Sequence, residues 1–398
     1  MWFFFSPNII YGEDSLNFLE NISGEKCFIV TDKNLEELGY VKILTDRLEK
    51  FGREYKIFNE VRPDPREEDV LKGKEECIAY SPDLIIALGG GSVMDTAKAI
   101  WSMYEFPELV VDDLNPFRGD LYNLGKKAKM ITIPTTSGTG ADVTWAVIIS
   151  KFENNVWRKL EIAHKGFVPT YAIVDPIFPA GMPPELTAAT AFDVLAHSFE
   201  GLISIWRNDF SDAMCLKAIE LVFKYLPIAY KDPKNVEARD FMHQAATMAG
   251  LGFGNGQVHF GHSMGHSWGA VFHTPHGICV GIALPYATEY CMNNPDEKDN
   301  TIEILGTNAK KLGWSEWSDD NMKAAYIVID KIKELQKEVN FPNKFQEIVA
   351  REEFDKNLDT LVNLCFQSSS SVMASRSPNY ADYKNLFTYA YEGKDIDF

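Results

Sequence analysis

The sequence is poor in cysteine and in positive charge. Only six of its 398 residues are cysteine, and their scatter, without a CxxC pair, excludes a disulfide-stapled scaffold. Lys and Arg number 39 against 57 Asp and Glu, and the resulting net charge of -18 repels nucleic acid and anionic membrane surfaces. We therefore expect a cytoplasmic protein with reduced thiols and with neither a nucleic-acid nor a membrane partner.

The sequence also lacks a long apolar run. The opening MWFFFSPNIIYG is apolar, but it has no basic flank of a signal peptide and is too short to cross a bilayer. Its composition predicts a buried strand, one that two subunits could share. We expect a homodimer or a higher homo-oligomer.

What is present is the composition of a globular protein, with 45% hydrophobic and 24% charged residues in a chain long enough for two domains. Before residue 180, β-rich runs alternate with helical stretches, which predicts a doubly wound parallel sheet. The predicted strands are CFIV from Cys27, YKIF from Tyr55, LIIAL from Leu84, MITIP from Met130, AVIIS from Ala146 and AIVD from Ala172. Beyond residue 180, apolar residues recur at helical spacing. We predict an α/β domain over 1–180 and an all-α domain over 181–398.

A phosphate-binding turn is predicted in LIIALGGGSVMDTAKAI, where an apolar strand runs into three glycines and a helix. Glycine lets the backbone approach a ligand closely, and the N-terminus of a helix attracts an anion. We expect Gly89, Gly90, Gly91, Ser92 and Asp95 to contact a dinucleotide. Ser92 and Asp95 also match an S-x-x-D capping pattern. The alternative is a tight strand-to-helix turn without a ligand.

A second loop, ITIPTTSGTGADVT, follows the same logic, with hydroxyls at Thr135, Thr136 and Thr139 that suit phosphate or ribose. Such loops also occur without ligands. Together the two loops favour a nucleotide, although the usual GxGxxG after the first strand is absent.

Five of the eight histidines lie in HFGHSMGHSWGAVFHTPHG, from His259 to Gly277. Histidine is the commonest metal ligand and titrates near neutral pH, so the cluster indicates a metal, a proton relay or both. Packed histidines are the alternative. Asp193 and His197 lie four apart on a predicted helix and share a face. A carboxylate with imidazoles from separate elements suits iron(II) or zinc.

Four segments resemble, in order and spacing, the motifs of the iron-dependent (group III) alcohol dehydrogenases: GGGSVMDTAKAI, PTTSGTGADVT, GMPPELTAATAFDVLAHSFEGLIS and GHSMGHSWGAVFHTPHG. The resemblance extends to about Pro285 and weakens beyond it. It implies a dehydroquinate-synthase-like fold, in which a dinucleotide-binding α/β domain and a helical metal-binding domain flank the active site.

The resemblance also implies roles for individual residues. Asp193, His197, His262 and His276 match the family's metal ligands. His266 matches a catalytic histidine that is not a ligand and could pass on the hydroxyl proton. Lys159 resembles a lysine beside the cofactor, with a solvated surface lysine as the alternative.

The implied activity is hydride transfer between NAD(H) and a small alcohol, aldehyde or diol, with Fe²⁺ or, as an alternative, Zn²⁺. Asp32 follows the strand CFIVT at a position that lies beside the adenosine ribose in the family. A carboxylate there favours NAD over NADP, although Asp32 could instead cap the next helix. Alternative functions are a metal-dependent polyol (glycerol-type) dehydrogenase, a lyase of the dehydroquinate synthase kind, and a non-catalytic nucleotide-binding or metal-binding protein.

The sequence departs from the family's pattern at three places. Ala141 and Asp142 replace the usual Ser-Glu, and Ala191 and Phe192 replace Gly-Met. His259 and His273 are additional histidines. We expect Phe192 to reshape the substrate pocket, and the two histidines to pack around the site rather than bind the metal.

Overall fold

The computed structural model describes residues 3–115, 118–153, 156–296 and 299–398. The chain divides into two compact units, Met1–Gly181 and Met182–Phe398. Within the described residues, no helix is long and apolar enough to cross a membrane.

A six-stranded sheet, parallel throughout, forms the centre of the first unit, in the order β1-β8-β5-β4-β2-β3. Its strands are β1 (Asn8–Tyr11), β2 (Lys26–Val30), β3 (Glu54–Phe58), β4 (Leu84–Gly89), β5 (Lys129–Pro134) and β8 (Tyr171–Val174). The inner strand β4 is buried at every residue, as expected where both faces of a parallel sheet are covered. Five of the six predicted strands are therefore confirmed as members of a parallel sheet.

Helices cover both faces of this sheet. They are α1 (Lys33–Glu37), α2 (Tyr40–Lys50), α3 (Glu67–Tyr80) and α4 (Gly91–Glu105). Ile86 and Leu88 of β4 share a core cluster with α2, whereas Ile85 and Ala87 share another with α3 and α4. This alternation along one strand confirms the doubly wound α/β prediction.

Two strand predictions need correction. The run AVIIS forms β6 (Ala146–Glu153), but β6 lies outside the main sheet and pairs antiparallel with β7 (Val156–Ala163), which we did not predict. The amino-terminal strand β1 does form, but at the edge of the sheet, where Tyr11 is 66% exposed, so within a single chain it is not buried as expected. A strand shared between two subunits stays a prediction. Met1 and Trp2 lie outside the described residues.

The second unit is helical, and in its described residues the extended pairing is a single bridge between Ser204 and Ala374. Its helices are α5 (Pro184–Ile203), α6 (Asp209–Lys231), α7 (Val236–Gly256), α8 (Phe260–Phe272), α9 (His276–Met292), α10 (Thr301–Lys311), α11 (Asn321–Glu338), α12 (Arg351–Gln367) and α13 (Tyr380–Glu392). α5 and α9 are apolar on nearly all sides and run through the core cluster of this unit. The helical prediction for this half is confirmed.

Candidate metal centre and nucleotide site

Three helices of the second unit bring the predicted metal ligands together. Asp193 and His197 lie one turn apart on α5, His262 lies on α8, and His276 is the first residue of α9. Nε2 of His276, His197 and His262 lies 3.3, 3.7 and 3.8 Å, respectively, from Oδ1 of Asp193. The candidate ligand atoms of Asp193, His262 and His276 lie within 4.8 Å of one another.

Two glycines permit this close approach. A Cβ built on Gly277 would lie 2.2 Å from the carbonyl oxygen of Ala189, so any side chain there would force α9 away from α5. A Cβ on Gly261 would lie 2.6 Å from Oε1 of Glu200, so α8 needs a glycine to pack on that carboxylate. The glycines around the histidines are thus steric requirements of the cluster.

The cluster fits one divalent cation. Ligands bound about 2.1 Å from a tetrahedral metal ion lie about 3.4 Å from one another, close to the 3.3 to 3.8 Å between Oδ1 of Asp193 and the three imidazole Nε2 atoms. Oδ1 of Asp193 is buried and makes no hydrogen bond of good geometry within the described residues, an arrangement that is costly unless an ion satisfies it. A carboxylate with three imidazoles suits Fe²⁺ and Zn²⁺ alike.

The charge states also suit metal binding. Burial lowers the pKa of His197 to about 3, which keeps the imidazole neutral and its lone pair available. Burial acts to raise the pKa of Asp193, but attraction to His197 and His276 outweighs it and holds this pKa below its usual value. Asp193 is therefore an anion at neutral pH.

Glu200 is a residue of this site that the sequence analysis missed. Its Oε1 lies 2.9 Å from Nδ1 of His262, and its Oε2 accepts a hydrogen bond from the backbone N–H of His259 at 2.7 Å. A carboxylate in this position accepts a hydrogen bond from Nδ1–H, which holds the imidazole proton on Nδ1 and leaves the lone pair of Nε2 free for a metal. Glu200 lies three residues after His197 and seven after Asp193, a spacing that could have placed it on the same face of α5.

The additional histidines lie around the cluster. His259 is fully buried, caps the N-terminus of α8, and has Nδ1 3.4 Å from Oε2 of Glu200. His273 ends α8 in a left-handed conformation with φ 55°. Phe192 packs on Phe341 inside the core, with ring centroids 4.2 Å apart and the rings tilted by 31°, so any effect of Phe192 on the substrate pocket is indirect. One residue before Asp193, it faces a different side of α5.

His266 lies beside the cluster, one turn after His262 on α8. Its ring centroid is 5.0 Å from that of His276 and 6.0 Å from that of His262. It is only partly buried. Phe253 stacks on the ring of the predicted ligand His197, with ring centroids 4.0 Å apart. The partly exposed His266 is thus placed for proton exchange with solvent.

In the first unit, the two predicted nucleotide loops touch each other. The backbone N–H of Thr135 donates to the carbonyl of Gly89 at 3.1 Å. A Cβ on Gly90 would lie 3.2 Å from Oγ1 of Thr136, and one on Gly91 would lie 3.1 Å from Cγ2 of Thr139. The loops follow β4 and β5, which are neighbours in the sheet, so their backbone and hydroxyl groups line one edge.

The proposed S-x-x-D cap does not form. α4 begins at Gly91 with Gly90 as its N-cap, so Ser92 already lies inside the helix. Oδ2 of Asp95 accepts instead from the backbone N–H of Ile148 on β6, at 3.1 Å. Because the N-cap residue is a glycine, no N-cap side chain accepts a hydrogen bond from the backbone N–H groups in the first turn of α4.

Asp32 lies two residues after the end of β2 and caps α1, because its Oδ1 accepts from the backbone N–H of Leu35 at 3.0 Å. From β2 the chain goes to β3 on one side, and from β4 it goes to β5 on the other. Open α/β sheets bind ligands at such a switch point, beyond the carboxyl ends of the strands. Asp32 and the glycines after β4 flank it.

Lys159 lies on β7, 38% exposed, with Nζ 3.1 Å from Oδ1 of Asp64. It therefore has a partner of its own at the surface.

Two family profiles cover this chain: "Iron-containing alcohol dehydrogenase" matches residues 6–176, and "Fe-containing alcohol dehydrogenase family, C-terminal" matches residues 187–391. The chain belongs to the iron-containing alcohol dehydrogenase family. It is therefore an alcohol dehydrogenase of the NAD(P)-dependent kind, and membership implies both a metal and a nicotinamide cofactor.

Individual relatives agree with this family membership. The chain is 34% identical to an NADPH-dependent butanol dehydrogenase from Clostridium saccharobutylicum over 100% of both chains. It is 40% identical to the aldehyde-alcohol dehydrogenase of Streptococcus pneumoniae, matching 74% of this chain but only 34% of that relative. An iron-containing alcohol dehydrogenase from Thermococcus thioreducens superposes with a TM-score of 0.88 at 29% identity, covering 99% of this chain and 100% of that one. This likeness confirms the predicted fold.

Proposed function

We propose that this alcohol dehydrogenase interconverts small alcohols and aldehydes with NAD(H), using one Fe²⁺ ion held by Asp193, His197, His262 and His276. The observation that carries the proposal is the convergence of three imidazole Nε2 atoms on a buried carboxylate oxygen, at 3.3 to 3.8 Å. The family's description as iron-containing supports iron over zinc.

When bound, the cation would supply Lewis acidity toward the alcohol or carbonyl oxygen, and the nicotinamide would supply hydride chemistry. The side chains of this chain have the complementary tasks. Asp193 contributes the anionic ligand, and Glu200 orients His262 through Nδ1. His266, beside the cluster and partly exposed, is placed to accept the hydroxyl proton and pass it to solvent. Phe253 covers one face of His197 and excludes water there.

The nucleotide is assigned to the first unit. Its pyrophosphate and ribose would be held by the edge where the two loops meet, formed by Gly89, Gly90, Gly91, Ser92, Thr135, Thr136 and Thr139, with Lys159 nearby. Asp32 at the switch point supports NAD, since a carboxylate accepts hydrogen bonds from the ribose 2′-hydroxyl and repels a 2′-phosphate. Because the full-length relative is described as NADPH-dependent, this choice rests on Asp32 and not on the family.

The substrate class is a short alcohol. The butanol dehydrogenase, which matches over its whole length, supports an alcohol of about the size of butanol.

We also propose a homodimer formed through β1. This strand has one neighbour in the sheet, β8, and its exposed Tyr11 is preceded by exposed Phe3 and Phe4. The free backbone N–H and C=O groups of such an edge strand, together with its apolar side chains, can pair with the same strand of a second copy. Light scattering after size-exclusion chromatography should give twice the mass of one chain, and a monomer mass would contradict the dimer.

The test of the function is a purification without oxygen, followed by metal analysis and a screen of alcohols, diols and aldehydes with both nicotinamide cofactors. We expect bound iron and alcohol-dependent formation of NADH. If the iron-loaded protein oxidises no alcohol with either cofactor, the proposed function is wrong.

A further inference from the structure

Within the described residues, the edge of β6 that faces away from β7 pairs with no strand apart from a single bridge between Arg66 and Ser150. In an antiparallel pair, successive residues direct their backbone groups alternately toward the partner strand and away from it. The carbonyl of Trp145 accepts from His164 on the β7 side, so even-numbered residues of this segment face outward. Among them, the backbone N–H of Ser150 donates to the carbonyl of Pro65 at 2.7 Å.

Two side chains of α4 bind three further outward-facing backbone groups. Nζ of Lys98 donates to the carbonyl of Thr144 at 2.7 Å and to that of Ala146 at 3.3 Å. Oδ2 of Asp95 accepts from the N–H of Ile148 at 3.1 Å. Asp95 and Lys98 lie one turn apart on α4. Together they bind outward-facing backbone groups of Thr144, just before β6, and of Ala146 and Ile148 within it, where a neighbouring strand would otherwise pair.

The same contacts connect the two nucleotide loops. α4 begins directly at the glycine loop, and Thr144 directly follows the loop that carries Thr135, Thr136 and Thr139. The hairpin itself carries Lys159. A shift of β6 along α4 would therefore change the separation between the glycine loop and the threonine loop.

We propose that Asp95 and Lys98 are positioning residues for the nicotinamide cofactor, which hold the glycine loop, the threonine loop and the hairpin in one arrangement. The inference rests on the proposed nucleotide site and replaces the expectation that Asp95 contacts the cofactor. Lys98 is fully buried beneath the loops, so its effect on the cofactor is transmitted through the backbone groups that it binds.

The chemistry of the pair supports positioning over simple stability. Burial raises the pKa of Asp95 to about 6 although Lys98 opposes this, and burial lowers the pKa of Lys98 to about 8 although Asp95 and Asp142 oppose it. Both groups are thus charged at neutral pH at a cost in desolvation. Apolar residues of similar volume are often as stabilising as buried charged groups, whereas Asp95 and Lys98 each bind defined backbone groups at Thr144, Ala146 and Ile148.

The test is Lys98→Met, which keeps most of the length of the unbranched side chain and removes the charge and all donors. Glu105→Gln is the matched control, since Glu105 ends the same helix and accepts from the backbone N–H groups of Lys127 and Ala128 at 2.9 and 3.0 Å, at the opposite end from the glycine loop. NADH fluorescence titration gives the Kd of each variant, thermal unfolding gives its stability, and metal analysis checks the second unit.

We expect Lys98→Met to raise the Kd for NADH at least about tenfold, which corresponds to about 1.4 kcal/mol. KM for NAD should rise more than kcat falls, and metal content should stay at the wild-type value. Glu105→Gln should lower thermal stability with the Kd within about twofold of wild type. If Lys98→Met does not fold, Lys98→Gln replaces it as the test. Glutamine retains an N–H donor, but its side chain is too short to reach both carbonyls, so we expect the same increase in the Kd for NADH.

An unchanged Kd in a folded Lys98 variant, or an equal increase in Glu105→Gln, would overturn the inference. If Asp95 contacted the cofactor directly, Asp95→Asn would raise the Kd for NADH while Lys98→Met would bind NADH as tightly as wild type. Failure of the wild-type protein to bind NADH would instead contradict the proposed function.

Discussion

Replacing Glu200 by glutamine tests how the metal cluster is held. The Glu200 carboxylate accepts from the backbone N–H of His259 at 2.7 Å and of His262 at 3.4 Å, and it lies 2.9 Å from Nδ1 of His262. Glutamine offers one acceptor oxygen and one amino group. If the oxygen stays with the backbone N–H groups, the amino group faces Nδ1 of His262 and the imidazole proton must move to Nε2.

Either orientation of the amide weakens metal binding. With the proton on Nε2, His262 loses the lone pair that a cation requires. With the amide reversed, a buried amino group faces the backbone N–H of His259, and an unsatisfied buried donor costs about 1 to 3 kcal/mol. Loss of such an outer hydrogen-bond partner typically weakens metal affinity about 10-fold to 100-fold, which equals about 1.4 to 2.8 kcal/mol.

The assay is competition for Fe²⁺ or Zn²⁺ against a chelator of known affinity. Glu289→Gln serves as the control, because Glu289 is 5% exposed and accepts from the backbone N–H of Ile396 at 2.8 Å. It lies on α9 about 20 Å along the helix from His276. The control should lose stability and keep its metal affinity. A metal Kd for folded Glu200→Gln within twofold of wild type would refute the role of Glu200.

Four further substitutions test the remaining roles. His262→Ala and His276→Ala should each lose most of the bound metal and activity, and wild-type metal content in both would show that the ligand set is wrong. His266→Ala should keep its metal while kcat falls about 10²-fold to 10⁴-fold, the range of a lost general acid or base; metal loss would instead make His266 a ligand. Asp32→Gly should improve NADP relative to NAD about tenfold, by removing about 1.4 kcal/mol of repulsion. The lost cap costs only a few tenths of a kcal/mol, and an unchanged cofactor ratio with a lower Tm would leave capping as the sole role.

The sequence predicted well those features that depend on residues close together in the chain. The apolar run of β4 and its three glycines determine a strand and a turn within one stretch of chain, and the spacing of Asp193 and His197 determines their shared face of α5. β6 has the same apolar character as β4, but its partner is a strand of the next segment. Periodicity does not distinguish the two kinds of pairing.

Features that depend on tertiary contact were missed. Glu200 acquires its role only when α8 brings His262, 62 residues later, against it. Asp95 matches a helix cap in the sequence, but α4 starts before Ser92 and directs the carboxylate toward β6. Lys98 drew no attention in the sequence, because a lysine on a helix is usually solvated.

Titration of the metal-free protein with Fe²⁺ in the presence of NAD and a short alcohol tests the central claim most directly. The rate of NADH formation should rise from near zero and saturate at one ion per chain, with no such rise in His262→Ala. Full activity without any metal, or the same iron dependence in His262→Ala, would contradict the account.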